Sequence, residues 1–178
     1  MLKKKAAAKK PGTAKKDAAS KSAAAGPQVG DKAPAFTLPT DGGGSVSLGA
    51  LKGKKVVLYF YPKDNTSGCT KEAIDFSALK PKFDKAGAVV IGCSRDSAES
   101  HAKFRQKHKL TISLAADDAG KTTESYGVWV EKSLYGRKFM GIERATFLID
   151  EQGRICQIWR KVKVDGHAEA VLKECQAT

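Results

Sequence analysis

Lys55-Val56-Val57-Leu58-Tyr59-Phe60-Tyr61 runs directly into Pro62-Lys63-Asp64-Asn65-Thr66-Ser67-Gly68-Cys69-Thr70-Lys71-Glu72. The first seven residues are continuously apolar after Lys55 and rich in β-branched and aromatic types. That is the composition of a strand buried on both faces, hence of a sheet centre. The polar stretch that follows reads as a loop. Beyond it Ala73, Phe76, Leu79 or Lys80, and Phe83 recur at helical spacing, with Pro81 as a kink and Gly87 as the stop. A lone cysteine, Cys69, therefore stands where a central strand hands over to a helix.

The pattern extends in both directions. Upstream, Phe36–Leu38 and Val46–Leu48 flank Thr40-Asp41-Gly42-Gly43-Gly44, a short strand, glycine turn and strand. Downstream, Ala88–Cys93 reads as a second buried strand. Asp96, with Glu99 three residues on, predicts a capping box opening a helix that runs to about Lys107. Strand, helix, strand, helix implies parallel strands joined by crossover helices, an α/β layered fold. Thr146–Asp150 and Arg154–Trp159 flank Glu151-Gln152-Gly153 as an antiparallel hairpin, and Ala168–Cys175 reads as a closing helix. A mixed central sheet flanked by helices, of thioredoxin-like architecture, fits this order.

The chain has 178 residues, 41% hydrophobic and 29% charged, which suits one compact domain. Its longest apolar run, the six residues Val56–Tyr61, is far short of the roughly 20 that span a bilayer. No membrane association is expected. Lys and Arg number 32 against 19 Asp and Glu, a net +13. Residues 1–26 hold eight Lys and one Asp, so +7 of that excess lies there and +6 in the other 152 residues.

Those 26 residues are mostly Lys and Ala, and the first aromatic is Phe36. With nothing large to bury, they cannot offset roughly 1–2 kcal/mol of backbone entropy per residue, and a disordered tail ahead of a domain at 27–178 is expected. The short Ala runs are broken by Lys, so no secretory signal is read, and no Arg precedes residue 36, so no mitochondrial presequence. A cytoplasmic protein is expected. The stretch Ala6–Lys16 is similar to the Lys-Ala-Pro tails of linker-histone-like proteins. Eight Lys on phosphates would give non-specific nucleic-acid binding with a log–log salt slope of about −7, and a nucleoid- or nucleus-associated protein. A solvated, solubilising extension accounts for the same composition.

The cysteines fall at 69, 93, 156 and 175 with no Cys-x-x-Cys pair, which argues against a zinc site and against a thioredoxin-type dithiol; the helix start reads Cys69-Thr70-Lys71-Glu72. A free thiol titrates near 8.5 and is only about 3% thiolate at neutral pH. A helix N-terminus favours the anion through its unpaired N–H groups and partial positive charge. A drop of about 2.5 units needs roughly 3.4 kcal/mol, more than one helix end supplies, so a nearby cation is expected. The sequence does not name it among 32 Lys and Arg. His101, His108 and His167 share no spacing with a nucleophile or metal partner and read as surface residues.

The spacing Pro62…Thr66…Cys69, directly after the Val-Val-Leu-Tyr-Phe-Tyr strand, resembles the active-site loop of peroxiredoxins, and Tyr61–Thr70 as a whole resembles the peroxiredoxin Q branch, the bacterioferritin comigratory proteins. The likeness continues through Ile91–Ser97, Tyr126–Trp129 and Gly141–Asp150 and covers about residues 28–175. It implies a thiol peroxidase acting on hydrogen peroxide and organic hydroperoxides, with no cofactor and no metal. Cys69 would be the peroxidatic nucleophile, Thr66 a hydroxyl that follows the reacting oxygens and sulfur, and Pro62 a shield against water. Arg144 would be the missing cation, with Glu72 orienting it.

Many peroxiredoxin Q proteins carry a resolving cysteine five positions after the first, where this chain has Ile74. An external thiol such as thioredoxin or glutathione is therefore expected to reduce Cys69 in a one-cysteine mechanism. Cys93, at the C-terminal end of the neighbouring predicted strand, is a possible resolving thiol or a small core residue. Cys156 reads as core filler in the late hairpin and Cys175 as a thiol near a frayed terminus. A monomer or weak dimer is expected.

Overall fold

A computed structural model describes residues 26–178; the readings of residues 1–25 lie outside the described residues. The elements are β1 (Thr37–Pro39), β2 (Ser45–Ser47), β3 (Lys55–Phe60), α1 (Ser67–Lys85), β4 (Ala88–Ser94), α2 (Ala98–His108), β5 (Ser113–Ala116), α3 (Lys121–Ser125), β6 (Trp129–Leu134), β7 (Arg137–Ile142), β8 (Ala145–Ile149), β9 (Ile155–Trp159) and α4 (His167–Ala177). The main sheet has the order β5-β4-β3-β8-β9, with β3 in the middle as its composition requires. β3 runs parallel to β4 and β4 to β5, whereas β8 and β9 are antiparallel. A mixed sheet results because the crossover helices α1 and α2 return the chain parallel, while the tight turn before β9 cannot.

Side chains of β3 alternate between two cores. Val57, Tyr59 and Tyr61 face Phe76 and Phe83 of α1, Phe104 of α2, and Val171 and Leu172 of α4. Val56, Leu58 and Phe60 face the opposite way, under Phe36, Leu38, Leu48, Tyr126 and Val128. Each such large side chain contributes about 1.5–3 kcal/mol on burial, so the covered sheet is the main stabilising feature. Pro81 lies inside α1, and Gly87, at φ +74°, turns the chain into β4.

Several expectations need correction. Asp96 does not cap α2. Ser97 does, accepting from the Ser100 amide at 3.1 Å, because the Asp96 carboxylate is engaged by the Ser94 hydroxyl at 2.7 Å and the Asp64 amide at 2.9 Å. His101 and His167 are not on the surface; they are 0% and 6% exposed. Each is paired by a polar group from another element, which a local reading cannot see. Cys175 is fully buried in the core under α4 and is not a frayed-end thiol.

The sequence reading has no element between α2 and β8, yet β5, α3 and the β6–β7 hairpin lie there. β5 is only four residues long. The hairpin strands are largely exposed, and their apolar residues fall in adjacent pairs, Trp129-Val130 and Phe139-Met140, so they lack apolar alternation. The hairpin turns at Tyr135 and Gly136, both at positive φ (+50° and +77°), as a two-residue hairpin turn demands.

Candidate active site

The Pro62–Thr66 loop leaves the end of β3, and Thr66 starts α1 with extended backbone, its carbonyl accepting from the Thr70 amide at 2.9 Å. Cys69 is the third residue of α1 and is 1% exposed. Its position among the unpaired amides of the first turn favours negative charge. Glu72 follows one turn later on the same face, also 1% exposed. The Thr66 hydroxyl donates to the Lys63 carbonyl at 3.1 Å, tightening the loop.

Arg144 lies between β7 and β8. Antiparallel pairing sets Ala145 opposite Phe60, so the residue before Ala145 arrives where the loop leaves β3. There its Nη2 donates to Cys69 Sγ at 3.2 Å, and its Nη1 donates to Glu72 Oε2 in a short contact. The Arg144 carbonyl accepts from the Val162 amide at 3.0 Å, which fixes its backbone. Gly68 makes room for the guanidinium: a Cβ there would stand 3.2 Å from Nη2. The structure thus brings Cys69, Glu72 and Arg144 together, with Thr66 and Pro62 on the adjoining loop.

The electrostatics follow from burial against pairing. Burial pushes the Glu72 carboxyl up to about 7 even though Arg144 opposes it. For Arg144 burial works against the charge, but Glu72 and Cys69 outweigh it and hold the guanidinium more firmly protonated than usual. Glu72 Oε1 and Tyr59 Oη are buried without a hydrogen-bond partner beside this cluster. Lys132 of β6 is a further cation whose charge couples to Cys69; burial and then Arg144 lower its basicity. It lies in the segment where the sequence reading has no element, and no spacing marks it.

The other cysteines stand apart. Cys93, the possible resolving thiol, belongs to the core on the opposite face of the sheet from Cys69. Burial, then Asp117, pushes its thiol well up. Cys156 is partly buried and Cys175 buried; all four cysteines are free, and Ile74 on α1 is 43% exposed. Among the described residues no group of three or more His, Cys, Asp or Glu could hold a metal ion, and no helix is long and apolar enough to cross a membrane.

The family model described as AhpC/TSA matches residues 29–158. The Coxiella burnetii Bcp protein is 55% identical over 145 residues, covering 82% of this chain and 96% of its own. Peroxiredoxin Bcp of Bacillus subtilis is 49% identical over 146 residues, covering 82% and 93%. Among solved structures, the Xanthomonas campestris bacterioferritin comigratory protein, described for its alkyl peroxide reduction activity, superposes with a TM-score of 0.77 at 46% identity, covering 80% of this chain and 90% of that one. A cysteine-to-serine variant of Xylella fastidiosa PrxQ gives 0.80 at 40% identity, covering 84% and 96%.

Proposed function

The chain belongs to the AhpC/TSA family, among the peroxiredoxins of the Bcp or Q group, and from that premise we propose how its own residues carry out thiol-dependent peroxide reduction. Cys69 Sγ, as thiolate, attacks one oxygen of a hydroperoxide. The S–O bond forms as the O–O bond breaks, leaving Cys69 as sulfenic acid and releasing alkoxide or hydroxide, which takes up a proton to become alcohol or water. The Nη2 of Arg144, 3.2 Å from Sγ, carries this reading: the planar fork can donate to sulfur and to the departing oxygen as charge passes between them. Glu72 holds the other arm of the fork and so orients it. The Thr66 hydroxyl, a small rotor, donates to or accepts from the peroxide oxygens, and Pro62 shields the sulfur from water. Cys69→Ser is expected to abolish peroxide consumption while leaving the fold unchanged; activity in that variant overturns the assignment.

A one-cysteine cycle completes the reading. An external thiol such as thioredoxin or glutathione attacks the sulfenic sulfur, forming a mixed disulfide and water, and a second thiol then releases Cys69. The placement of Cys93 across the sheet and of Ile74 one turn after Cys69 supports it. Mapping thiols after one equivalent of hydrogen peroxide tests it, since an internal disulfide from Cys69 to Cys93, Cys156 or Cys175 rules it out. A monomer or weak dimer working in the cytoplasm completes the proposal. The +7 carried by residues 1–26 supports contact with nucleic acid or another polyanion.

A further inference from the structure

We propose that His101 is a positioning residue for the peroxidase reaction: acting through Asp64, it fixes the loop that carries Pro62 and Thr66 beside Cys69. The proposal rests on Cys69 being the peroxide-reducing thiol.

Asp64 sits in the middle of that loop, yet it is only 6% exposed. Its carboxylate accepts from the Tyr61 hydroxyl at 2.7 Å, from the Ser100 hydroxyl at 2.8 Å and from His101 Nδ1 at 2.8 Å. Its backbone amide donates to Asp96 at 2.9 Å. Burial alone would push this carboxyl up. The hydrogen bond and charge of His101, followed by the bonds from Tyr61 and Ser100, outweigh burial and hold it below the usual carboxylate range.

His101 is fully buried and reaches in two directions. Nδ1 meets Asp64, and Nε2 lies 3.0 Å from the Ala115 carbonyl on β5. Both ring nitrogens face acceptor oxygens, so the ring is a strut between the sheet and the loop. The loop is thereby tied to Tyr61 just past the end of β3, to α2 through Ser100 and His101, and to β5 through Ala115. Neighbouring Asn65 holds a left-handed backbone, φ +63°, that free chains visit sparingly. Without the tie the loop would leave this conformation, and a reaction that needs near-attack geometry tolerates little misplacement. A buried polar contact of this kind is a poor source of net stability, and its better-attested use is to select one conformation.

The test uses the full chain and two rates. One is the second-order rate of peroxide reduction; the other is the rate of Cys69 alkylation by iodoacetamide at pH 7, which depends on the thiol and Arg144 but needs no peroxide-shaped loop. His101→Gln is expected to slow peroxide reduction at least tenfold with no slowing of alkylation. Asp64→Asn, which keeps one acceptor oxygen for Tyr61 but puts an amide NH2 in place of the oxygen that meets Ser100 and His101, should do the same. The double variant should lose no more than the worse single one, since both act through one contact. A peroxide rate within fivefold of the parent in either folded variant overturns the proposal. So does an equal loss in both rates, or losses that multiply in the double variant. Should His101→Gln fail to fold, Asp64→Asn is judged alone by the two rates. Peroxide consumption by the parent chain and its loss in Cys69→Ser test the underlying assignment separately.

Discussion

Nη2 of Arg144 donates to Sγ of Cys69 across 75 residues of chain and 3.2 Å of space. The pairing of β8 with β3 makes this possible, because Ala145 sits opposite Phe60 and Arg144 is delivered to the mouth of the loop. With its other arm on Glu72, the guanidinium has little freedom to turn away from the sulfur.

Arg144→Met should therefore preserve packing along the side-chain stem while removing both donors. A preorganised donor of this kind is worth about 100- to 1000-fold in rate. Stopped-flow peroxide reduction should show a loss of that order, and a loss under about fivefold would mean that another cation serves Cys69.

Glu72 should make stability depend on pH near neutrality. Burial raises its folded-state titration to about 7, above the ordinary 4.5, so the folded state binds this proton more tightly than the unfolded chain. Its contribution to stability is full below about pH 4.5 and is lost as pH rises through about 7. Glu72→Gln cannot titrate. The unfolding free energy of the parent minus that of the variant should fall as pH is raised from about 5 to about 8, by at most about 1.4 kcal/mol per unit. A difference that rises or stays flat contradicts this.

His167 predicts a separate acid limb. Burial, then Arg144, depresses its titration from 6.5 to about 4, and its Nε2 lies 2.7 Å from the Thr146 hydroxyl. Here the unfolded chain takes the proton more readily. The stability it contributes is full above about pH 6.5 and is lost as pH falls through about 4. Melting temperatures measured across that range should fall more steeply in the parent than in His167→Gln.

Gly92 tests the packing behind the site. A Cβ there would lie 2.7 Å from Cζ and Oη of Tyr59 and 3.0 Å from Leu114, all in the closed core. Tyr59 is also stacked on Phe76 with ring centroids 4.6 Å apart, so it has no room to retreat. Gly92→Ala should cost about 1–3 kcal/mol in urea unfolding. A neutral result would show that the ring can shift after all.

Residues 1–26 should be dispensable for peroxide reduction, since the family model begins at residue 29. Removing them should leave the peroxide rate within about twofold. If the tail binds polyanions, the full chain alone should show duplex-DNA affinity falling with salt at a log–log slope of up to about −7. Equal affinities for the two forms would dismiss that role.

Much of the sheet was legible because its signals are local. β3, β4, α1, the β8–β9 hairpin and α4 each announce themselves by periodicity or by an uninterrupted apolar run within one segment. The β6–β7 hairpin does not, since its exposed strands Trp129–Leu134 and Arg137–Ile142 carry little apolar alternation. The histidines misled for a related reason: His101 and His167 are buried because Asp64 and Thr146 reach them from other elements. Asp96 carries a capping pattern, but a loop amide and a serine take its carboxylate first.

By itself the sequence determined that a central strand meets a helix at Cys69, and that this sulfur stands among the unpaired amides of a first helical turn. Those are consequences of hydrophobic run, spacing and chain direction within some thirty residues. Only the tertiary structure decided that Arg144, the cation the resemblance implied, meets the sulfur, that Cys93 is on the far side of the sheet, and that His101 meets Asp64 in the loop. Each of these depends on the register between strands distant in the chain, and pairing register is a non-local property that no local period encodes.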